Sequence, residues 1–178
     1  MYRILSANPT LPQHIAQIQH APDVYRPAAC PHCGLACPWQ HGYYLRKADR
    51  CEQLGATLNP VSIARFYCQG CERTCSRLPL CIAPRRWYDW AQQQRVLQQL
   101  LSGSSQHHVS ERSGLDRHTV RRWWRWLKSR TTTFSFFLRS RFPHWGRTGD
   151  FESFWETCLN QMPLSEAMAW LDQELTVP

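Results

Sequence analysis

The stretch VSERSGLDRHTVRRWWRWL, residues 109–127, decides how the middle of this chain folds. Val109 is apolar, Ser110 is small, and Gly114 falls where a chain must turn sharply between two helices. Leu115 plugs that turn, and Asp116 is placed to N-cap the helix that follows. Val120 and Trp123 then face back toward preceding helices. This is the pattern of a helix-turn-helix unit, whose second helix enters the major groove N-terminus first. A wheel at about 100° per residue puts Val120, Trp123 and Leu127 on one face and His118, Arg121, Arg122 and Arg125 on the other. Trp124 and Trp126 fall on opposite edges of the buried face. The three tryptophans therefore read as a buried wedge rather than a base-stacking platform, with Trp124 the one still able to touch a DNA backbone.

Working outward, RRWYDWAQQQRVLQQLLSG supplies the helix before the motif. Trp87, Trp90, Ala91, Leu97, Leu100 and Leu101 recur at helical spacing, and Gly103 ends the run. A plain three-helix core with a solvated basic face would share this pattern, so charge has to choose between the two. Residues 105–147 hold ten Lys/Arg against two Asp/Glu, whereas residues 148–178 hold six acids and no Lys/Arg. Solubility alone usually mixes the signs, so this segregation points to a polyanion partner. Of the 21 cations 19 are arginine, the side chain suited to bidentate contact with phosphate and guanine. On this reading Arg117, His118 and Arg121 reach base edges, and Arg122, Arg125 and Lys128 hold phosphates.

N-terminal to the helices lie two CxxC knuckles, Cys30-Pro-His-Cys33 and Cys68-Gln-Gly-Cys71. Two residues between cysteines let both thiolates reach one tetrahedral ion, and four thiolates close the site to substrate. HGYYLRKA (41–48) and PVSIARFYC (60–68) are rich in β-branched and aromatic residues and read as strands that return the second knuckle to the first. The expectation is a zinc ribbon carrying one structural Zn2+, whose role is to fold a module too small to hold itself together. A thioredoxin-like redox pair needs a βαβ setting that is missing here. Cys37, Cys51, Cys75, Cys81 and Cys158 are taken as small buried hydrophobes, with Cys37, Cys51 or Cys75 as the possible replacement for a ligand. His32 and His41 are read as ordinary.

After FPHWGRTG (142–149), which reads as linker, DFESFWETCLNQM begins with Asp150 as a cap and stripes Phe154, Trp155, Cys158, Leu159 and Met162. PLSEAMAWLDQEL follows, with Pro163 suited to a first helical turn and Leu164, Met168, Leu171 and Leu175 on one side. These two acidic helices form a hairpin that packs on its own chain, with room for a partner if apolar surface stays exposed. No Gly-rich phosphate loop, nucleophile elbow or HExxH motif occurs, and six of the thirteen acids fall in the hairpin. An enzyme is not expected. The N-terminus lacks the layout of a signal peptide, and no apolar run approaches a membrane span, which suggests a cytoplasmic, nucleoid-associated protein without a membrane role.

CPHCG, HGYYLRK and RFYCQGCERTCSRLP, followed by the helix-turn-helix, resemble the small zinc-ribbon/helix-turn-helix proteins of bacterial insertion sequences and related uncharacterised families. The resemblance covers residues 27–128. It implies that ribbon and helices bind DNA at element ends or promoters, and that the protein acts as a repressor or transposition accessory. It also implies Cys30, Cys33, Cys68 and Cys71 as zinc ligands and Arg117 to Arg125 as the DNA-facing helix. Cys75 departs from the pattern, where an aromatic commonly follows the Arg-Thr pair.

The expected fold is therefore α+β, mainly α. An extension (1–26) precedes a zinc ribbon (27–83), a helix-turn-helix (84–130), a linker (131–149) and a C-terminal helical hairpin (150–178). The expected function is sequence-selective binding of double-stranded DNA, as a homodimer if its sites are two-fold, with a transposase or other protein as a possible partner of the hairpin. The alternative is an adaptor whose ribbon and acidic hairpin hold a protein partner while the basic helix binds RNA or nothing, with no specific duplex binding.

Overall fold

The computed structural model describes residues 4–8, 10–49, 57–84, 88–147 and 149–175. The chain divides into two compact units, one formed chiefly by the residues up to Asp89 and the other by Trp90–Glu174. The α+β, mainly α class is correct. Among the described residues no helix is long and apolar enough to cross a membrane.

The first unit is built on an antiparallel sheet in the order β2-β3-β4, with β2 at Trp39–Arg46, β3 at Val61–Cys68 and β4 at Arg73–Cys75. The two expected strands are present, and β4 is added beyond the second knuckle. The central strand β3 is apolar on both sides because both are covered. Val61 and Ile63 pack with Leu78 and Ile82, while Ala64 and Phe66 pack with Tyr25 and Cys75. A further short pairing joins β1 (Ile4–Leu5) in parallel to β5 (Leu78–Pro79). Helix α1 (Leu11–His20) opens with a capping box in which Thr10 and Gln13 satisfy each other's backbone N–H groups. Its buried His14 reaches the backbone of β3 at Ser62. The described part of the expected extension 1–26 is thus an integral layer of the ribbon unit, not an appendage.

The second unit is helical: α2 (Trp90–Leu101), α3 (Gln106–Ser113), α4 (Arg117–Arg141), α5 (Phe151–Gln161) and α6 (Leu164–Glu174). Helix α2 buries Trp90, Gln93, Val96, Leu97, Leu100 and Leu101, whereas Ala91, expected inside, is exposed. Trp87 lies outside the described residues. The α5–α6 hairpin has its expected cap, with Asp150 accepting from the Ser153 N–H at 2.7 Å. Leu175, expected on the α6 stripe, lies just past that helix and is half-buried.

The linker expected at 131–149 needs correcting. Residues 131–141 continue α4, and Pro143–Arg147 form a 3-10 turn. Local propensity argues against this, since Thr131, Thr132 and Thr133 are β-branched and weak helix formers. Tertiary packing overrides it. Phe134, Ser135 and Leu138 are buried, Phe134 meets the Trp155 ring edge-on at 6.3 Å, and the Trp155 indole N–H donates to Thr131 Oγ1 at 3.1 Å. The same contacts make the helix-turn-helix and the hairpin one unit.

Candidate metal centre and the exposed arginine face

The four cysteines singled out by spacing come together. The sulfurs of Cys30, Cys33, Cys68 and Cys71 all lie within 4.8 Å of one another. Cys30 Sγ is 3.6 Å from Cys71 Sγ, and Cys33 Sγ is 3.5 Å from Cys68 Sγ. These separations exclude disulfides, whose S–S length is about 2.05 Å. They match a tetrahedral thiolate site, where metal–sulfur bonds of about 2.3 Å place the sulfurs about 3.8 Å apart.

Each knuckle is shaped by its own backbone. In the first, the Cys30 N–H donates to the Leu35 carbonyl at 2.7 Å and the Gly34 N–H to the Cys30 carbonyl at 2.9 Å. Gly34 sits at φ 76°, and the His32 N–H points at Cys30 Sγ from 3.4 Å. In the second, Cys68 ends β3 and pairs with Arg73 at the start of β4, so Cys71 lies in the turn between paired strands. Gly70 is where the knuckles approach. A Cβ there would stand 3.0 Å from Leu35 Cδ2 and 3.6 Å from Cys33 Sγ. The position of Gly70 inside a CxxC is the one sign of this approach that the residues carry.

The sulfurs perturb one another strongly. Burial pushes the Cys30 thiol up, but the N–H groups of His32 and Cys33 and the thiols of Cys68 and Cys71 hold it down, at about 6. Burial drives Cys71 up to about 12, with the neighbouring sulfurs adding to the rise. Such crowding favours one thiolate and disfavours the next, and a divalent cation would relieve the conflict by ligating all four sulfurs as thiolates and offsetting two of their four charges. The remaining described cysteines stand apart from this cluster. Cys75 is buried beside Tyr25, Ala64 and Phe66, and burial raises its thiol to about 11. Cys37 is exposed at φ 52°, its N–H bonded to the Ala28 carbonyl at 3.0 Å. Cys51 lies outside the described residues. His32 and His41 are both exposed.

In the helical unit, the turn between α3 and α4 has the expected construction. Gly114 is left-handed at φ 67°, Leu115 is buried, and Asp116 accepts from the His118 N–H at 2.7 Å. Ser110 adds a brace, its hydroxyl donating to the Leu115 carbonyl at 2.7 Å. Val120, Trp123 and Leu127 are buried, and Arg117, His118, Arg121, Arg122, Arg125 and Lys128 are all exposed. Among the described residues, no carboxylate pairs with Arg117, Arg121, Arg122 or Arg125. Lys128 differs, its ammonium lying 4.8 Å from the Trp124 ring and 5.3 Å from that of Phe151. Trp124 is half-buried and meets Phe151 edge-on at 5.2 Å, so it belongs to the hairpin contact more than to the arginine face.

A family described as a domain of unknown function (DUF6431) matches residues 30–123, more than half of the chain. The protein belongs to the DUF6431 family. The DUF6431 match begins on the first thiol, Cys30, and ends on the buried Trp123 of α4, so it spans all four clustered cysteines and the α3–α4 turn. Membership in DUF6431 places the chain without assigning it an activity. No curated protein and no solved structure matches it.

Proposed function

We propose that this DUF6431 protein binds double-stranded DNA sequence-selectively through α4, with a structural zinc ion holding the ribbon unit together. The observation that carries the reading is the first half of α4. Arg117, Arg121, Arg122 and Arg125 are exposed on the helix that follows the left-handed Gly114 turn, opposite the buried Val120, Trp123 and Leu127. A helix so presented offers guanidinium groups to phosphates and base edges while its other face is anchored. Zinc is the assignment for the metal because a closed set of four thiolates in two CxxC knuckles suits it best. The action is binding, not chemistry. The likeness of residues 27–128 to proteins of insertion sequences supports a role in regulation or transposition support in a bacterial cytoplasm, with the hairpin free to meet a transposase or other protein.

The test is duplex binding by fluorescence anisotropy, using sites selected from a random library. Affinity should fall steeply with salt, with a slope in log–log form of about −0.9 for each phosphate neutralised. Arg121→Ala should cost about 1–3 kcal/mol on the selected sequence and much less on random DNA. Equal loss on both would make Arg121 a phosphate contact. Absence of duplex binding at about 50 mM salt would end the proposal.

A further inference from the structure

The second half of α4 carries an apolar feature that DNA binding does not use. Phe136 is 65% exposed although it lies in the middle of a packed helical unit. Hollows flank its ring. One, of about 440 Å³, is floored by Leu138, Trp170 and Leu171, with Arg141 and Glu174 among its lining residues. The other, of about 490 Å³, is lined by the small Thr132, Ser135 and Ser140 together with Arg139. Arg141 lies 4.5 Å over the Trp170 ring, so a cation is fixed beside the first hollow. Glu174 at the end of α6 is exposed and brings the opposite charge.

We infer that this face of α4 and α6 is a two-fold interface with a second copy of the chain, Phe136 of each copy entering the hollow beside Phe136 of the other. The patch is complementary to itself. It holds both the projecting ring and the space for one, and both a cation and an anion, as an isologous contact requires. The wider charge pattern agrees, since α4 carries cations and the hairpin six acids without a Lys or Arg. Opposed copies set Arg141 of one against Glu174 of the other, whereas an unrelated partner gives no reason for knob, hollow and both charges to occur on one patch. The arrangement also deepens the DNA reading, on which this last step rests. Arg121 lies 15 residues before Phe136 on the same helix, an arm of about 22 Å at 1.5 Å per residue. A two-fold axis near Phe136 then separates the two Arg121 residues by at most about 45 Å, a reach that includes the ~34 Å between half-sites one DNA turn apart.

Sedimentation equilibrium of the full chain without DNA reads the association directly. The wild type should be dimeric at micromolar concentration. Phe136→Asp should raise the dimer dissociation constant at least about tenfold while leaving the helical circular dichroism in place, because the ring is largely exposed and its ring contact is with its chain neighbour Phe137. Arg141→Glu should weaken the dimer, and adding Glu174→Arg should restore it. A monomer at about 100 µM, or a dimer indifferent to Phe136→Asp, overturns the inference. Monomeric protein that still binds duplex overturns the interface and leaves the DNA reading standing; a Phe136-dependent dimer with no duplex affinity does the reverse.

Discussion

The imidazole of His14 and the phenol of Tyr25 form a buried pair in the ribbon unit, with His14 Nδ1 and Tyr25 Oη 2.7 Å apart and both side chains fully inaccessible. The tautomer follows from the partners. His14 Nε2 is 2.9 Å from the Ser62 carbonyl oxygen, which can only accept, so Nε2 carries the proton and Nδ1 accepts from the Tyr25 hydroxyl. Asn8 Nδ2 in turn donates to that hydroxyl at 2.8 Å. The chain Asn8–Tyr25–His14–Ser62 thus ties the N-terminal residues to the central strand.

This pair makes the ribbon unit acid-sensitive. Burial lowers the His14 pKa below its ordinary 6.5, with the bond to the Ser62 carbonyl opposing it in part. The unfolded chain therefore takes up the proton first as pH falls, so stability present at neutral pH is lost below about 6.5. Urea midpoints measured from pH 7.5 to 5 should decline in that window. Tyr25→Phe leaves a buried Nδ1 without its donor and should cost about 1–3 kcal/mol at neutral pH. An unchanged midpoint in Tyr25→Phe would show that the bond contributes nothing.

Metal removal should act on one unit only. Purified protein should carry about one zinc per chain by elemental analysis, and chelation or Cys68→Ser should unfold the ribbon unit. The helical signal of residues 90–174 should persist, since those helices bury their own core. Cys75→Ala is the contrast: its thiol packs with Tyr25, Ala64 and Phe66, so zinc content should not change. A metal-free protein with an intact ribbon unit would refute the assignment.

Gly114→Ala isolates the backbone requirement of the turn. A Cβ at Gly114 would meet nothing within 4 Å, so the penalty is purely the left-handed φ of 67°. That conformation should cost about 1–2 kcal/mol in thermal or urea unfolding. Gly114→Asn should lose less, because Asn tolerates this region better. Equal losses would mean the turn is held by something other than its dihedral.

Gln93 offers a gain. Its side chain is fully buried in α2, and neither its amide nitrogen nor its oxygen has a hydrogen-bond partner among the described residues. An unsatisfied buried polar group costs about 1–3 kcal/mol, so Gln93→Leu, of similar volume, should raise the melting temperature of the helical unit. A lower melting temperature would show that the amide has a partner in solution, such as an ordered water.

What could be read from the residues was set locally. The CxxC spacing named the four thiols that converge, because two intervening residues are what a shared ion requires. Gly114 and the caps at Asp116 and Asp150 were equally legible, each being a matter of one turn of backbone. The buried Val120, Trp123 and Leu127 followed from helical spacing alone. Ala91, expected on the buried stripe, is exposed while Gln93 is buried, because periodicity gives a stripe's centre more surely than its edges.

Tertiary structure decided the rest. The three threonines argue locally against helix over Thr131–Arg141; the segment is helical because Phe134 and Leu138 continue the buried stripe of α4 into the core it shares with the hairpin, outweighing that weak propensity. Nor does the spacing around His14 show that it will reach Ser62, 48 residues away. The four cysteines that converge, the sharp turn and the arginine face were legible in the residues alone, since each depends on CxxC or helical spacing a few positions long. Where α4 ends, what ties α1 to the central strand and which aromatic rings, Phe136 among them, are left outside depend instead on burial against distant segments.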